Sequence, residues 1–139
     1  MVEDNQQYAY FALNGDFDPA DVTARVGVQP TECWRRGDIC DRTRRERQAS
    51  RWSLYSRLGR GKELEAHIRD VLAQLDDQAE AFAGVSRECG GWLQLVAYLH
   101  RDYPGLHFDR DITEGLARYS LAVDFDFYWL YSCRREGTA

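Results

Sequence analysis

No stretch of this chain approaches the roughly 20 consecutive apolar residues that a membrane-spanning helix requires, so a helical membrane protein is not expected. The opening residues, Met1-Val-Glu-Asp-Asn-Gln-Gln7, lack the basic start and apolar centre of a secretory signal, and a cytoplasmic location is expected. Cysteine is sparse. Cys33, Cys40, Cys89 and Cys133 include no C-x-x-C pair, which removes the close ligand pair of the usual structural zinc sites. Four scattered cysteines in such a chain read as reduced packing residues rather than a disulfide framework. Lysine is almost absent: Lys62 stands against seventeen arginines, a bias that reads as the coding habit of a GC-rich bacterial genome. No internal repeat and no low-complexity linker occurs. No G-x-S-x-G, Walker loop or dinucleotide fingerprint occurs either, and no cofactor is expected.

What is present suits a packed domain. The chain has 139 residues, 44% of them hydrophobic and 13% aromatic, which is enough for a real core and too rich for a disordered chain. A single α+β domain is expected over 1–139, with its core at about 8–131 and polar tails. The net charge of −5 hides an asymmetry. Residues 34–62 hold ten basic and three acidic side chains, a net of +7, and the rest holds eight basic and twenty acidic, a net of −12.

The clearest local signal is Leu121-Ala-Val-Asp-Phe-Asp-Phe-Tyr128, eight residues of strict alternation. A period of two marks a half-buried strand, with Leu121, Val123, Phe125 and Phe127 facing the core. Tyr8 to Leu13, Arg51 to Ser56 and Trp92 to Leu99 read as further strands. Asp18-Pro19 opens a short helix, because aspartate caps and proline suits the first helical position, and Gly27 stops it. One long helix is expected from about Lys62 to Phe82, carried by Leu64, Ile68, Val71, Leu72, Leu75, Ala79 and Phe82 at spacings of three and four. Asp111-Ile-Thr-Glu114 resembles a capping box ahead of a short helix that ends near Tyr119. Gln29 to Ser50 is irregular, and Asp41 to Arg47 reads as a solvated loop or hairpin tip. The order predicts an α+β sandwich on the ferredoxin-like βαββαβ plan, mostly antiparallel, with helices on one face and a C-terminal helix and strand as an extension. Leu64, Ile68, Val71, Leu72, Leu75, Leu93, Leu95, Val123, Phe125 and Phe127 are expected in one core.

Three pieces together resemble a known family: Leu13-Asn-Gly-Asp-Phe-Asp-Pro19 with Gly27-Val-Gln-Pro-Thr31, Trp52-Ser-Leu54 ahead of the long helix, and Val123-Asp-Phe-Asp-Phe-Tyr128. They are similar to the bacterial domain-of-unknown-function family 4279 over roughly residues 8 to 130. The resemblance implies a small α+β domain, usually a protein by itself, and implies no activity or catalytic residues.

The candidate surface is the strand face opposite the core. It offers Tyr8, Tyr10, Arg51, Tyr55, Trp92, Tyr98, His100, Asp124, Asp126 and Tyr128, with Ser53, Gln94 and Val96 between them. If the helices pack on one side, such an aromatic face serves a homodimer or a protein or small-molecule partner, ahead of plain solvated surface. His100-Arg-Asp102 and His107-Phe-Asp109 have strand spacing, but a turn separates them and such pairs arise easily by chance, so no metal is expected. His67 reads as a surface residue flanking the helix stripe. Gly59-Arg-Gly-Lys62 precedes a helix but is too short to mark a phosphate site. The basic segment suits an acidic protein better than nucleic acid, because Asp124 and Asp126 on the aromatic face repel phosphates. The function expected is a binding or interaction module of immunity or regulatory type. The alternative is a small enzyme using the Asp124, Asp126, Tyr128 and His100 neighbourhood, but the reading leans away from an enzyme.

Overall fold

A computed structural model describes residues 3–103 and 105–130. The elements run β1 (Gln6–Gly15), α1 (Pro19–Val26), β2 (Glu32–Trp34), β3 (Ser50–Tyr55), α2 (Leu64–Asp76), α3 (Ala79–Cys89), β4 (Trp92–Leu99), α4 (Arg110–Arg118) and β5 (Ala122–Trp129). The strands form one sheet in the order β2-β3-β1-β4-β5. β1 lies in the middle and pairs antiparallel with β3 and β4, and β2 pairs antiparallel with β3. β5 runs parallel to β4, which demands a crossover; the segment at 100–109 and α4 supply it. The fold is α+β with a five-strand mixed sheet and four helices. The expected C-terminal helix and strand are α4 and β5, but β5 joins as a parallel edge and the five-strand order is not that of the expected ferredoxin-like plan.

Local chemistry sets the ends of the elements. The Asp18 carboxylate accepts from the Ala20 amide at 3.0 Å, and Gly27 closes α1 at φ 70°, the left-handed region where a side chain is strained. The expected single long helix is two. α2 stops at Asp76, Gln78 takes φ −140° and ψ 55°, and α3 restarts at Ala79 and runs to Cys89. The apolar spacing continues from Leu75 to Ala79 across the break, so periodicity could not show it. The cap of α4 is also corrected. Asp109, not Asp111, is the cap, and its carboxylate accepts from the Ile112 amide at 3.1 Å.

The core joins one face of the sheet to all four helices. Ala9, Phe11, Leu13, Trp52, Leu54, Leu93, Leu95, Ala97 and Leu99 meet Val22, Val26, Leu64, Ile68, Val71, Leu72, Leu75, Phe82, Val85, Ile112 and Tyr119 in one cluster. Phe11, Trp52 and Phe82 pack with ring centroids 5.6 to 6.1 Å apart at steep angles. Val123 and Phe127 sit partly buried against that cluster, but Phe125, expected in the core, is 53% exposed. Its strand phase is right. It fails to be covered because β5 lies at the sheet's edge, beyond the reach of the helices.

The arginine-rich segment is a hairpin extension between β2 and β3. Gly37 and Arg47, and Cys40 and Arg45, are joined through the backbone, and Ile39 bridges Glu46. Asp41 to Glu46 are exposed. Cys33 is exposed too, Cys89 packs at the core margin, and Cys133 lies outside the described residues.

Candidate functional site

The face opposite the helices takes its layout from the register. Tyr10 stands between Tyr55 on β3 and Gln94 on β4, and Gln94 adjoins Asp124 on β5. One step along, Tyr8, Val96 and Asp126 align, and then Gln6, Tyr98 and Tyr128. The predicted aromatic residues thus share one surface, since a period of two puts each in the phase opposite the core. Ala12, Ser53, Val96 and Gln94 are buried on this face although they lie outside the core cluster, so the larger neighbours screen them.

Three aromatic groupings cover it. Tyr8, Tyr10 and Tyr55 stack, with Tyr10 and Tyr55 centroids 4.4 Å apart and Tyr8 5.8 Å from Tyr55. Tyr98 and Tyr128 stack at 5.0 Å with rings 8° from parallel. The Arg51 guanidinium lies between two indoles, 5.2 Å from Trp34 and 5.4 Å from Trp92, while Arg47 caps the Trp34 ring at 3.6 Å. Arg60 lies 4.6 Å over Tyr8. Such cation–aromatic contacts hold arginine in place without removing its hydrogen-bond donors. The Arg51 Nε atom is buried with no hydrogen-bond partner among the described residues.

Four phenols of the face, Tyr8, Tyr10, Tyr55 and Tyr128, are shifted toward the protonated form. Burial, helped by neighbouring Tyr98 and Tyr55, pushes Tyr8 up to about 12. Burial and then Glu32 push Tyr55 to about 12 as well. Burial also raises Tyr10, against the pull of Arg51. The Tyr128 hydroxyl donates to Asp126 at 2.9 Å, and that bond is the main cause of its raised pKa. The surface therefore presents phenol groups, flat rings and three arginines held against them, with two carboxylates at the β5 side.

His100 does not join this group. It follows the end of β4, its Nε2 lies 3.1 Å from the Glu3 carboxylate, and its amide donates to Asn5. The suggested cluster of His100 with Asp124, Asp126 and Tyr128 thus reduces to the Tyr128–Asp126 bond. The His-x-Asp pairs are also taken up elsewhere. Asp109 caps α4 and pairs with Arg69, and His107 donates its amide to Glu65. Among the described residues no three of His, Cys, Asp and Glu gather as a metal site.

His67 is corrected from surface to core: it is fully buried. Its Nδ1 is bonded to the Ser56 hydroxyl, and its Nε2 is buried with no partner among the described residues. Burial, opposed by the backbone at Gly59 and Lys62 and by Asp70, holds the imidazole below its ordinary 6.5.

Trp34, Arg47 and Arg60 are the face residues that the sequence reading passed over. β2 is three residues long, too short for alternation to show, and the two arginines come from loops. Beside Trp34, a hollow of about 460 Å³ is lined by Glu32, Trp34, Cys40, Asp41, Arg42 and Arg47. The Cys40 thiol is lowered to about 7 there, chiefly by hydrogen bonding to Thr43.

Fold and face define an α+β protein whose sheet carries all its helices on one side and an aromatic, arginine-bearing surface on the other. The chain belongs to the family described as domain of unknown function DUF4279, whose model matches residues 5–130. No curated protein and no solved structure matches it.

Proposed function

We propose that this chain is a small binding module that acts through the open face of its sheet, with residues 8–131 working as one domain. The observation that supports this best is Arg51, clamped between Trp34 and Trp92 with a buried Nε atom that has no partner among the described residues, beside stacked Tyr10 and Tyr55. Tyrosine, tryptophan and arginine dominate the energetic centres of protein interfaces, because they combine large area with polar tips. The fitting partner is a protein, either a second copy or a different chain, that covers the stacked rings and the arginines held beside them. An immunity-type or regulatory role in the bacterial cytoplasm suits such a module. The ferredoxin-like reading of its first six expected elements belongs to the same proposal, and rests on β1 being flanked by β3 and β4.

The test is Tyr10→Glu, which places a carboxylate in the middle of the face on the central strand, with circular dichroism to confirm folding. If the face joins two copies, light scattering shows a monomer. If it holds another molecule, the oligomeric state is unchanged, and stabilisation by peptides in a thermal-shift screen is lost. If Tyr10→Glu changes neither the oligomeric state nor the stabilisation by peptides, the reading is overturned.

A further inference from the structure

The chain leaving β3 does not turn away from the sheet. Ser56 donates its amide to Ala9, and the Arg60 carbonyl accepts both the backbone amide of Gln7, at 2.9 Å, and its side-chain amide, at 3.0 Å. Residues 56–60 thus run on beside the first half of β1, on the side where β3 has ended. They reach both faces of the sheet. On the helix side Ser56 bonds His67, and on the open face the Arg60 guanidinium lies 4.6 Å over Tyr8.

This segment is a thin cover. Arg57 to Glu63 are all exposed and form no helix or strand. At Gly59 and Gly61 no atom lies within 4 Å of where a Cβ would stand, so nothing packs there. Three fastenings hold the segment: Ser56 on His67, Arg57 on Asp70, and Arg60 on Gln7. Beneath it His67 is fully enclosed, and its Nε2 atom has no partner among the described residues.

A buried imidazolium needs a carboxylate or several acceptors. Asp70 is the charged group that acts on His67, and its carboxylate already accepts from the Arg57 amide and guanidinium. The backbone at Gly59 and Lys62 favours the charged ring, but burial outweighs it. Other charges on the elements around α2 are engaged with one another: Glu65 takes the His107 amide, and Asp109 pairs with Arg69, Arg118 with Asp76, and Glu88 with Arg25. β1, on which α2 packs, turns Gln7, Ala9 and Phe11 to the helix side, none of them ionisable. In water a histidine takes up its proton near 6.5. A form with the cover lifted therefore binds protons more readily than the closed form, and falling pH shifts the population toward it.

We propose that residues 57–63 are a pH-sensitive cover: proton uptake by His67 favours its open form, and opening takes Arg60 off Tyr8. Opening is local because the cover is exposed and irregular, whereas α2 and β1 are packed core elements. The effect on binding rests on the reading of the open face given above. Tyr8 stacks on Tyr55 and Tyr10, so a proton taken up on the helix side alters the surface that would meet a partner.

The Gln7 amide reports the cover directly, because its acceptor is Arg60. Its hydrogen-exchange protection factor, corrected for the intrinsic pH dependence of exchange, is expected to fall about threefold or more between about pH 7.5 and about pH 5, above the ordinary carboxylate range. The amides of Phe11 and Leu13, in the ladder with β3, are expected to keep their protection. His67→Gln is expected to abolish the fall. Should that variant not fold, His100→Gln with His107→Gln removes the other two histidines, and the fall is expected to persist. The Tyr8 ring signals in NMR are expected to shift with the same midpoint, and to lose most of that shift in Arg60→Ala. The absence of a fall at Gln7 overturns the inference. Equal falls at Gln7, Phe11 and Leu13 do so too, since the loss is then global, as does a fall that survives His67→Gln or vanishes with His100 and His107. A fall at Gln7 with Tyr8 unmoved overturns the link to the face. These measurements use no partner, so their failure and the failure of the Tyr10→Glu test are separate results.

Discussion

His67 shows at the level of one residue what the fold demands of its chemistry. Its imidazole is fully enclosed on α2 and bonded to Ser56, and burial keeps it below its ordinary 6.5. As pH falls through that value the unfolded chain takes up a proton and the native chain resists. The unfolded state then binds more protons, so stability declines with falling pH, from near 6.5 down to the lowered native value. His67→Leu is expected to flatten that decline, at the cost of about 1–3 kcal/mol at all pH values for the Ser56 hydroxyl left without its partner. Denaturant midpoints measured from neutral to mildly acid pH check both effects; an equally steep decline in the variant refutes the first. The sequence pointed the wrong way here. A histidine beside an apolar stripe looks like a flank, and only the packing of the 56–63 segment over α2 buries it.

At the level of elements, strand phases were legible and helix boundaries were not. A period of two survives any tertiary context that buries one face, so Tyr8, Tyr10, Tyr55, Trp92, Tyr98 and Tyr128 could be assigned to a common side. The α2–α3 break and the Asp109 cap depend on local geometry that a spacing of three and four does not record. Burial at the edge was equally hidden, since alternation gives Phe125 a direction but not a cover. The packing of α4 on α2 makes a sharper test. A Cβ built on Gly115 would come 2.7 Å from Leu72 Cδ1, so Leu72 leaves no room for a side chain there. Leu72→Ala is expected to cost about 2–5 kcal/mol by opening a cavity. Gly115→Ala is expected to cost about 1–3 kcal/mol alone, and less in the Leu72→Ala background, where the clash is gone. Additive losses in urea melts would mean that the two positions do not share this space.

For the whole molecule, charge is divided along with structure. The net +7 of residues 34–62 is divided between the hairpin extension at 34–50, with a net of +3, and Arg51, Arg57, Arg60 and Lys62 beyond it, and the net −12 lies in the rest. Asp41 to Arg44 are all exposed. Replacing residues 41–44 by Asn-Gly, a tight hairpin turn, is expected to change stability by about 0.5 kcal/mol or less. Collapse of cooperative unfolding in that variant would give the hairpin a structural role that its exposure does not suggest.

The central position of β1 carries a consequence for how the chain comes to be folded. Gln6 pairs with Tyr98, and Tyr10 pairs with both Tyr55 and Gln94. β1 is made before both of its neighbours, and β4 follows it by 80 residues (Ala12 to Trp92) to 92 residues (Gln6 to Tyr98). Its core-side Ala9, Phe11 and Leu13 must wait for β4 with one flank open. A sheet assembled around its earliest strand closes late, and chains whose contacts span such distances fold slowly. During that interval the exposed strand is a target for chaperones and for other nascent chains, and the molecule's safety depends on the arrival of Trp92 to Leu99.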